Sequence, residues 1–348
     1  MYCYLRARFG QPNGLCNVLR NPDTSDNYIH WDYLLKVSDE NLYIMGLSRE
    51  IQFVPSEAMT DTNWRALLAN IRGDFGRVGR EKSRVLDGLE KWLVFPNRYV
   101  QIANACADLH GSVVTNMDGA SSFKGRSFQT KRESSAQAKE REKVAERAME
   151  VYDKALQLSL LIPVLAEAFI NMLALMLCKK EIKRNKRHFE HFMRQNVDTK
   201  VFDLPYKCDG FRKSIPTDAE SIVHFKRIMD RRNHAIHGNV DPEKDNIEVV
   251  YFDGKIPLFK DGGDNVGRYQ DAMERMYRPR EVIRDYEGVF LFFEEVIACL
   301  EPRLVPDVRT IMEDPLPGYD VGRRVTGNLF PQNTIVGQLP GMKYDDEL

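Results

Sequence analysis

The 348-residue chain has no excess of one charge sign: 50 basic residues stand against 51 acidic ones, a formal net charge of -1. Affinity for a polyanion therefore has to come from a local patch. Paired cysteines are also missing. Cys3, Cys16, Cys106, Cys178, Cys208 and Cys299 are scattered with no Cys-x-x-Cys, which excludes a zinc ribbon or a disulfide-stapled miniature fold and reads as the reduced thiols of a cytoplasmic protein. There is no glycine-rich phosphate loop, no dinucleotide-binding turn and no serine-centred nucleophile elbow, so the ATPase, dehydrogenase and serine-hydrolase classes lose their chemical basis. No internal repeat of fixed period is visible. The opening MYCYLRARFG puts arginines where a secretion signal carries its apolar stretch, and the closing Asp345-Asp346-Glu347-Leu348 is expected to be a solvated acidic end. Only Leu160 to Cys178 approaches the length of a membrane span, and it carries Pro163, Glu167 and Asn171. An acidic residue at mid-membrane costs ~2.5–3.5 kcal/mol, so no membrane association is expected.

What is present is ordinary globular material, 43% hydrophobic, 10% aromatic and 29% charged. At ~150 residues per domain the length predicts two domains. From Tyr2 to Pro55 the apolar residues come in bursts (YCYLRARF, YIHWDYLLKV, NLYIMGL, IQFV) broken by Pro12-Asn13-Gly14 and Asn21-Pro22-Asp23, a pattern of strands and turns. Trp64, Leu67, Leu68 and Ile71, then Val85, Leu86, Leu89, Trp92 and Leu93, recur at three-four spacing and predict two amphipathic helices before Pro96. Residues 1–110 are thus expected to be a small mixed α/β domain, a sensor or substrate selector. Residues 111–132 lose periodicity and gather Ser, Gly, Lys124, Arg126, Lys131 and Arg132, the composition of a flexible linker.

Residues 133–305 read as helical. A long helix, kinked at Pro163 or split there, runs from Glu133 to about Ile182, a second follows to Gln195, and a loop with Pro205, Cys208 and Pro216 comes next. Thr217 to Glu220 supply capping residues for a helix that stops at Gly238 and Pro242, with Ile222, Phe225, Ile228, Met229, Ala235 and Ile236 as its apolar stripe. Asp253-Gly254 between two apolar runs predicts a β-hairpin, and Arg280 to Leu300 a final helix. Residues 306–348 are proline-rich and aperiodic and are expected to be an extended tail.

The densest chemistry is Asp230-Arg231-Arg232-Asn233-His234-Ala235-Ile236-His237-Gly238. Arg232-Asn233, three residues, then His237 resembles the Arg-Asn-x-x-x-His signature of the HEPN superfamily. The Glu167-Ala168-Phe169-Ile170-Asn171 stretch on the preceding apolar helix is similar to an acidic element of many HEPN proteins. The resemblance covers about residues 135–300, and the hairpin looks like an insertion. With the mixed first part, the chain is expected to be α+β, and the resemblance implies that its second part is an all-α HEPN-like bundle. It further implies a metal-independent endoribonuclease, a homodimer or even-numbered oligomer that brings two motifs together, and a place in bacterial toxin or antiphage systems with an unknown antitoxin or phage trigger. The alternative is a non-catalytic HEPN-like module that binds RNA or nucleotide, or only dimerises. No cofactor is implied.

The residue chemistry stands beside that resemblance. Cleaving RNA through its own 2′-hydroxyl needs a base, an acid for the leaving 5′-oxygen, and positive charge on the phosphate. His237 suits proton transfer and Arg232 suits bidentate phosphate binding. Residues five apart on a helix are rotated by ~140° (100° per residue), so Arg232 and His237 do not share a face, whereas Asn233 and His237 do. Asn233 is therefore expected to orient the His237 ring, with Arg232 reaching round the helix or across a dimer seam and Arg231 in reserve. Glu167 is read as a buried carboxylate that pairs with Arg232 or Arg231 or makes a helix-helix hydrogen bond elsewhere. The basic string Lys179, Lys180, Lys183, Arg184, Lys186 and Arg187, with Phe189 and Phe192 interleaved, is a candidate RNA-binding face. His188/His191 and His234/His237 are metal-like pairs by spacing, but no Cys or acidic spacing reinforces them, and no metal site is assigned.

Overall fold

A computed structural model describes residues 1–12, 29–37, 40–47, 50–120, 131–238, 240–243, 246–259 and 265–329. The protein is α+β and divides into two compact units: Met1–Phe95 with residues 316–329, and Pro96–Pro315.

The first unit opens with a helix, α1 (Tyr2–Phe9), where the aromatic burst suggested a strand. Tyr4 Oη donates to Asp74 Oδ2 at 3.0 Å and Arg8 Nε reaches the same oxygen at 2.9 Å. Two residues four apart reach one carboxylate from adjacent helical turns; on a strand they would be ~13 Å apart. Arg6 and Arg8 also suit the C-terminal end of the helix dipole. The expected strands follow as β1 (Ile29–Val37), β2 (Glu40–Leu47) and β3 (Ile51–Pro55), an antiparallel meander that pairs Tyr33 with Ile44 and Ile44 with Phe53. Tyr33, Leu42 and Ile44 point to one face, where they bury Tyr4, Leu5 and Ile71. Gly46 lies opposite Trp31, and a Cβ there would fall 2.0 Å from the indole, so only glycine lets the ring lie across the sheet.

Two helices, α2 (Asp61–Asp74) and α3 (Gly79–Asp87), match the expected pair, but the second stops early. Trp92 and Leu93 lie in a strand, β4 (Trp92–Val94), and Leu86 stays exposed, so the second apolar stripe is not a buried one.

The second unit starts with α4 (Arg98–Ala120), which lies across the expected boundary at 110 and turns half of the expected linker into helix. Its start is fixed by Asn97, whose Oδ1 accepts from Tyr99 N while its Nδ2 donates to Met312 O at 2.7 Å and Asp314 O at 3.0 Å. Tyr99, Ala103, Cys106, Ala107 and Val113 then face α5 (Lys131–Leu177), a single helix that continues through Pro163. One window of α5 within Glu142–Leu177 is long and apolar enough to cross a membrane. Ala155, Leu158, Ile162, Leu165, Ala166, Ile170, Leu173 and Ala174 are nevertheless fully buried against the other helices, which makes it a core helix.

The expected second helix is two short ones, α6 (Lys180–Arg184) and α7 (Lys186–Met193), split at Asn185, whose side chain caps the latter. Pro205 lies not in a loop but inside α8 (Val197–Lys207), where Val197, Lys200, Val201 and Leu204 form a buried stripe. The motif helix α9 (Glu220–Ile236) ends before Gly238, whose φ of 60° suits the helix stop. Ile222, Phe225, Ile228 and Met229 are buried as expected; the side chains of Ala235 and Ile236 lie outside the description. The expected hairpin is β5 (Val250–Asp253) and β6 (Ile256–Phe259), with Gly254 at positive φ in its two-residue turn. After α10 (Asn265–Tyr277), the helix α11 (Pro279–Ile297) packs on α4, α5 and α9.

The expected tail is structured as far as residue 329. Helix α12 (Val305–Glu313) buries Val308 and Met312. The chain then returns to the first unit as β7 (Gly318–Asp320) and β8 (Val325–Gly327), and β7 pairs with β4. The turn cluster at 21–23, Cys16, Lys124, Arg126 and the acidic terminus lie outside the described residues.

Candidate active site

Helix α9 is held by ring stacking. Phe225 stacks on Phe292 of α11 at 4.1 Å, and Phe169 of α5 stacks on Phe293 at 4.1 Å. The apolar stripe of α9 runs Phe225, Ile228, and seven residues after Phe225 it meets Arg232, so the next turn turns charge toward the interior. That charge has to be partnered.

The two adjacent arginines find different partners. Arg231 is gripped by α11, with Nη1 2.7 Å from Glu281 Oε1 and Nη2 2.5 Å from Asp285 Oδ2. Glu281 and Asp285 are one turn apart, and Gly288 and Phe292 continue the same face of α11. His224 of α9 presents Nε2 to Asp285 Oδ1 at 3.1 Å and its Nδ1 is 2.6 Å from Arg227. A Cβ on Gly288 would lie 2.7 Å from the His224 ring, so glycine admits that ring to the carboxylate. Burial pushes Asp285 above the ordinary carboxylate range and outweighs the pull of Arg231. Burial likewise pushes His224 below the usual imidazole value, against the attraction of Asp285.

Arg232 turns the other way, to α5. Its Nη2 lies 4.0 Å from Glu167 Oε2, its Nη1 donates to Asn233 Oδ1 at 3.2 Å, and its buried Nε has no acceptor among the described residues. Glu167 is not the buried carboxylate the apolar run suggested: its side chain is 38% exposed. One turn on, Asn171 Oδ1 accepts from Lys200 Nζ at 2.6 Å, and Lys200 also donates to Met193 O. Lys200 is fully buried, and burial lowers its pKa against the opposing field of Glu167.

Asn233 is thus engaged with Arg232 and not with the His237 ring, contrary to expectation. His237 is exposed in the turn after the helix, its backbone N–H bonded to Asn233 O. His234, three residues earlier, lines a cleft of about 660 Å³. Five arginines border that cleft (227, 231, 232, 275 and 278) against Asp230 and Asp285, over a floor that includes Leu160, Ile228, Met276 and Tyr277. Ser159 is in the same lining, and Pro163, lacking an N–H, leaves its carbonyl without the usual helical partner. Arg278 sits at the rim with φ 48°, a conformation that costs a non-glycine residue about 1–3 kcal/mol.

The basic string is divided. Lys180, Arg184, Lys186 and Arg187 are exposed, and Lys179 donates to Tyr206 O at 2.7 Å. Lys183, 4% exposed, instead bonds Met176 O, and Phe192 is core, so neither can meet a nucleic acid. Among the described residues no group of three or more His, Cys, Asp or Glu is placed to hold a metal, and the two His-x-x-His pairs are not brought together.

Sequence reasoning missed Arg227, Arg275, Arg278 and Lys200, because each joins the site through tertiary contact and carries no local signature. His234 was visible, but only as half of a metal-like pair. No family model matches the chain, and neither a curated protein nor a solved structure matches it.

Proposed function

We propose that the helical unit is a HEPN-like bundle and a metal-independent endoribonuclease. It cleaves RNA by attack of the 2′-hydroxyl at a site shared between two subunits, in the toxin or antiphage setting that the motif resemblance implies. The observation that carries this reading is the division of labour between the adjacent arginines. Two carboxylates satisfy Arg231, while Arg232 is oriented in the cleft wall by a 4.0 Å contact to a half-exposed Glu167 and keeps a buried Nε without an acceptor among the described residues. An oriented, under-neutralised guanidinium among other arginines is built to take an anion, and a phosphodiester offers two oxygens to its fork.

In this reading Arg232 stabilises charge on the pentavalent phosphate. His237 takes the 2′-hydroxyl proton or returns one to the leaving 5′-oxygen. Arg232 faces α5 and His237 stands in the turn beyond the helix, so the pair that acts on one phosphate is the arginine of one subunit with the histidine of its two-fold mate. The cleft arginines 227, 275 and 278 hold neighbouring phosphates, and Lys180, Arg184, Lys186 and Arg187 extend the track.

The test is incubation of the full chain with total RNA in EDTA, beside His237→Ala and Arg232→Ala. Each variant should lose about 10²–10⁴-fold in rate, and products should carry 2′,3′-cyclic phosphate. Mixing the two variants should restore part of the activity. Wild-type rate in His237→Ala refutes the assignment, and loss confined to His234→Ala moves the acid–base role to the histidine already in the cleft. RNA bound but uncut by the wild type would mark a non-catalytic binding module.

A further inference from the structure

Outside the candidate active site, two cysteines are placed opposite one another where two helices end. Cys178 follows the last residue of α5 and Cys208 follows the last residue of α8, and the two form an isolated antiparallel bridge. Lys179 N donates to Lys207 O at 3.0 Å and Asp209 N donates to Leu177 O at 2.8 Å. These bonds flank the cysteines and do not join them, which makes Cys178 and Cys208 a non-hydrogen-bonded pair. In that register the Cα atoms are ~4.5 Å apart and the side chains leave on the same face at their closest. The distance falls at the short end of the ~4.4–6.8 Å that a disulfide spans. Both are free thiols.

Both thiols are nearly wholly buried, Cys178 4% and Cys208 2% exposed, and one cation stands beside them. Lys183 is almost wholly buried, donates to Met176 O, and lies within electrostatic reach of both sulfurs. Burial raises both thiols, and the Lys183 ammonium works against that rise. Burial pushes Cys208 up further than Cys106, which has no such cation, so Lys183 offsets only part of the burial.

We propose that Cys178 and Cys208 are a thiol–disulfide site, oxidised by a low-molecular-weight disulfide and reduced by the corresponding thiol. The Cys178 thiolate attacks one sulfur of the oxidant, forming a mixed disulfide and releasing one thiolate. Cys208, deprotonated, then attacks the Cys178 sulfur and expels the second. The dithiol loses two electrons and two protons, and the oxidant becomes two thiols. The bond closes residues 178–208 into a loop that contains α6, α7 and α8. It thereby ties the helix that carries Lys200 to the end of the helix that carries Glu167 and Asn171.

The folded full chain is incubated with oxidised glutathione, quenched with an alkylating agent in denaturant, digested without reductant and mapped by mass spectrometry. The expected product joins the Cys178 peptide to the Cys208 peptide, with two of the six cysteines lost to alkylation there, and reverts with reduced glutathione. In Cys208→Ser, Cys178 should stop at the glutathione adduct. Recovery of both cysteines alkylated from wild type whose circular dichroism is unchanged overturns the proposal. So does linkage of Cys178 to Cys106 or Cys299 as often as to Cys208.

Discussion

Replacing Asp285 by asparagine separates charge from shape at the centre of the α9–α11 contact. Its side chain is 8% exposed, with one oxygen on Arg231 and the other facing His224. An amide keeps an acceptor for the guanidinium and offers an N–H to a neutral His224 Nε2. What it removes is a charge whose burial already costs more than Arg231 returns, as the upward shift of Asp285 shows. Asp285→Asn should therefore change stability at pH 7 by less than about 1 kcal/mol. Asp285→Ala leaves Arg231 short of a partner and opens a void, and should cost about 2–4 kcal/mol.

The pH dependence has a definite sign. A carboxylate whose folded pKa is raised binds its proton more readily in the native state. Its contribution is fully present below the unfolded value near 3.9 and is lost as pH rises through the folded one. His224 shifts the opposite way, but without Asp285 it loses the attraction that holds its pKa up, so the variant also binds less proton there. Both effects make wild type gain stability over Asp285→Asn as pH falls from 7 toward 4. Urea unfolding followed by circular dichroism at several pH values measures this. If Asp285→Asn is as damaging as Asp285→Ala at pH 7, or if wild type loses stability relative to Asp285→Asn on acidification, the reasoning is refuted.

Three further outcomes follow from the same geometry. Glu167→Gln should alter stability by no more than about 1 kcal/mol in urea unfolding, because a half-exposed 4.0 Å pair is weak, yet it should lower RNA cleavage through the loosened Arg232. Gly288→Ala should cost about 1–3 kcal/mol, since its Cβ falls 2.7 Å from the His224 ring; thermal melting beside His224→Ala/Gly288→Ala, which removes the collision and recovers part of the loss, checks this. Arg275→Ala should weaken binding to an uncleavable RNA uniformly across sequences and flatten the salt dependence by about one counterion's worth, whereas Arg303→Ala, on an exposed residue bonded to Glu301 and remote in sequence from the cleft lining, should leave the slope unchanged.

Much of the fold was legible because its signals are local. The start and stop of α9 are written in Glu220 and Gly238, the hairpin in Gly254, and the strands β1 to β3 in their aromatic and β-branched runs, all within a few residues of the element they define. Where local signals misled, a distant contact outweighed them. Tyr2 to Phe9 is aromatic enough for a strand, but Asp74 draws Tyr4 and Arg8 onto one helical face. Pro205 does not break α8, because four buried side chains hold that helix. The boundary falls before Arg98 and not near residue 110, because Asn97 bonds backbone carbonyls more than two hundred positions away.

The candidate site divides along the same line. The amino-acid sequence by itself determined that an arginine pair, an asparagine and a histidine lie at the end of an amphipathic helix, because composition and spacing along one segment are enough to say so. Only the tertiary structure decided which arginine is neutralised, since Glu281, Asp285 and Glu167 come from helices whose placement depends on aromatic packing among α5, α9 and α11. It likewise brought Arg275 and Arg278 to the cleft and set Cys178 against Cys208. Charge neutralisation and sulfur proximity are properties of distances of a few ångströms between residues tens of positions apart, and no pattern along the chain encodes those distances directly.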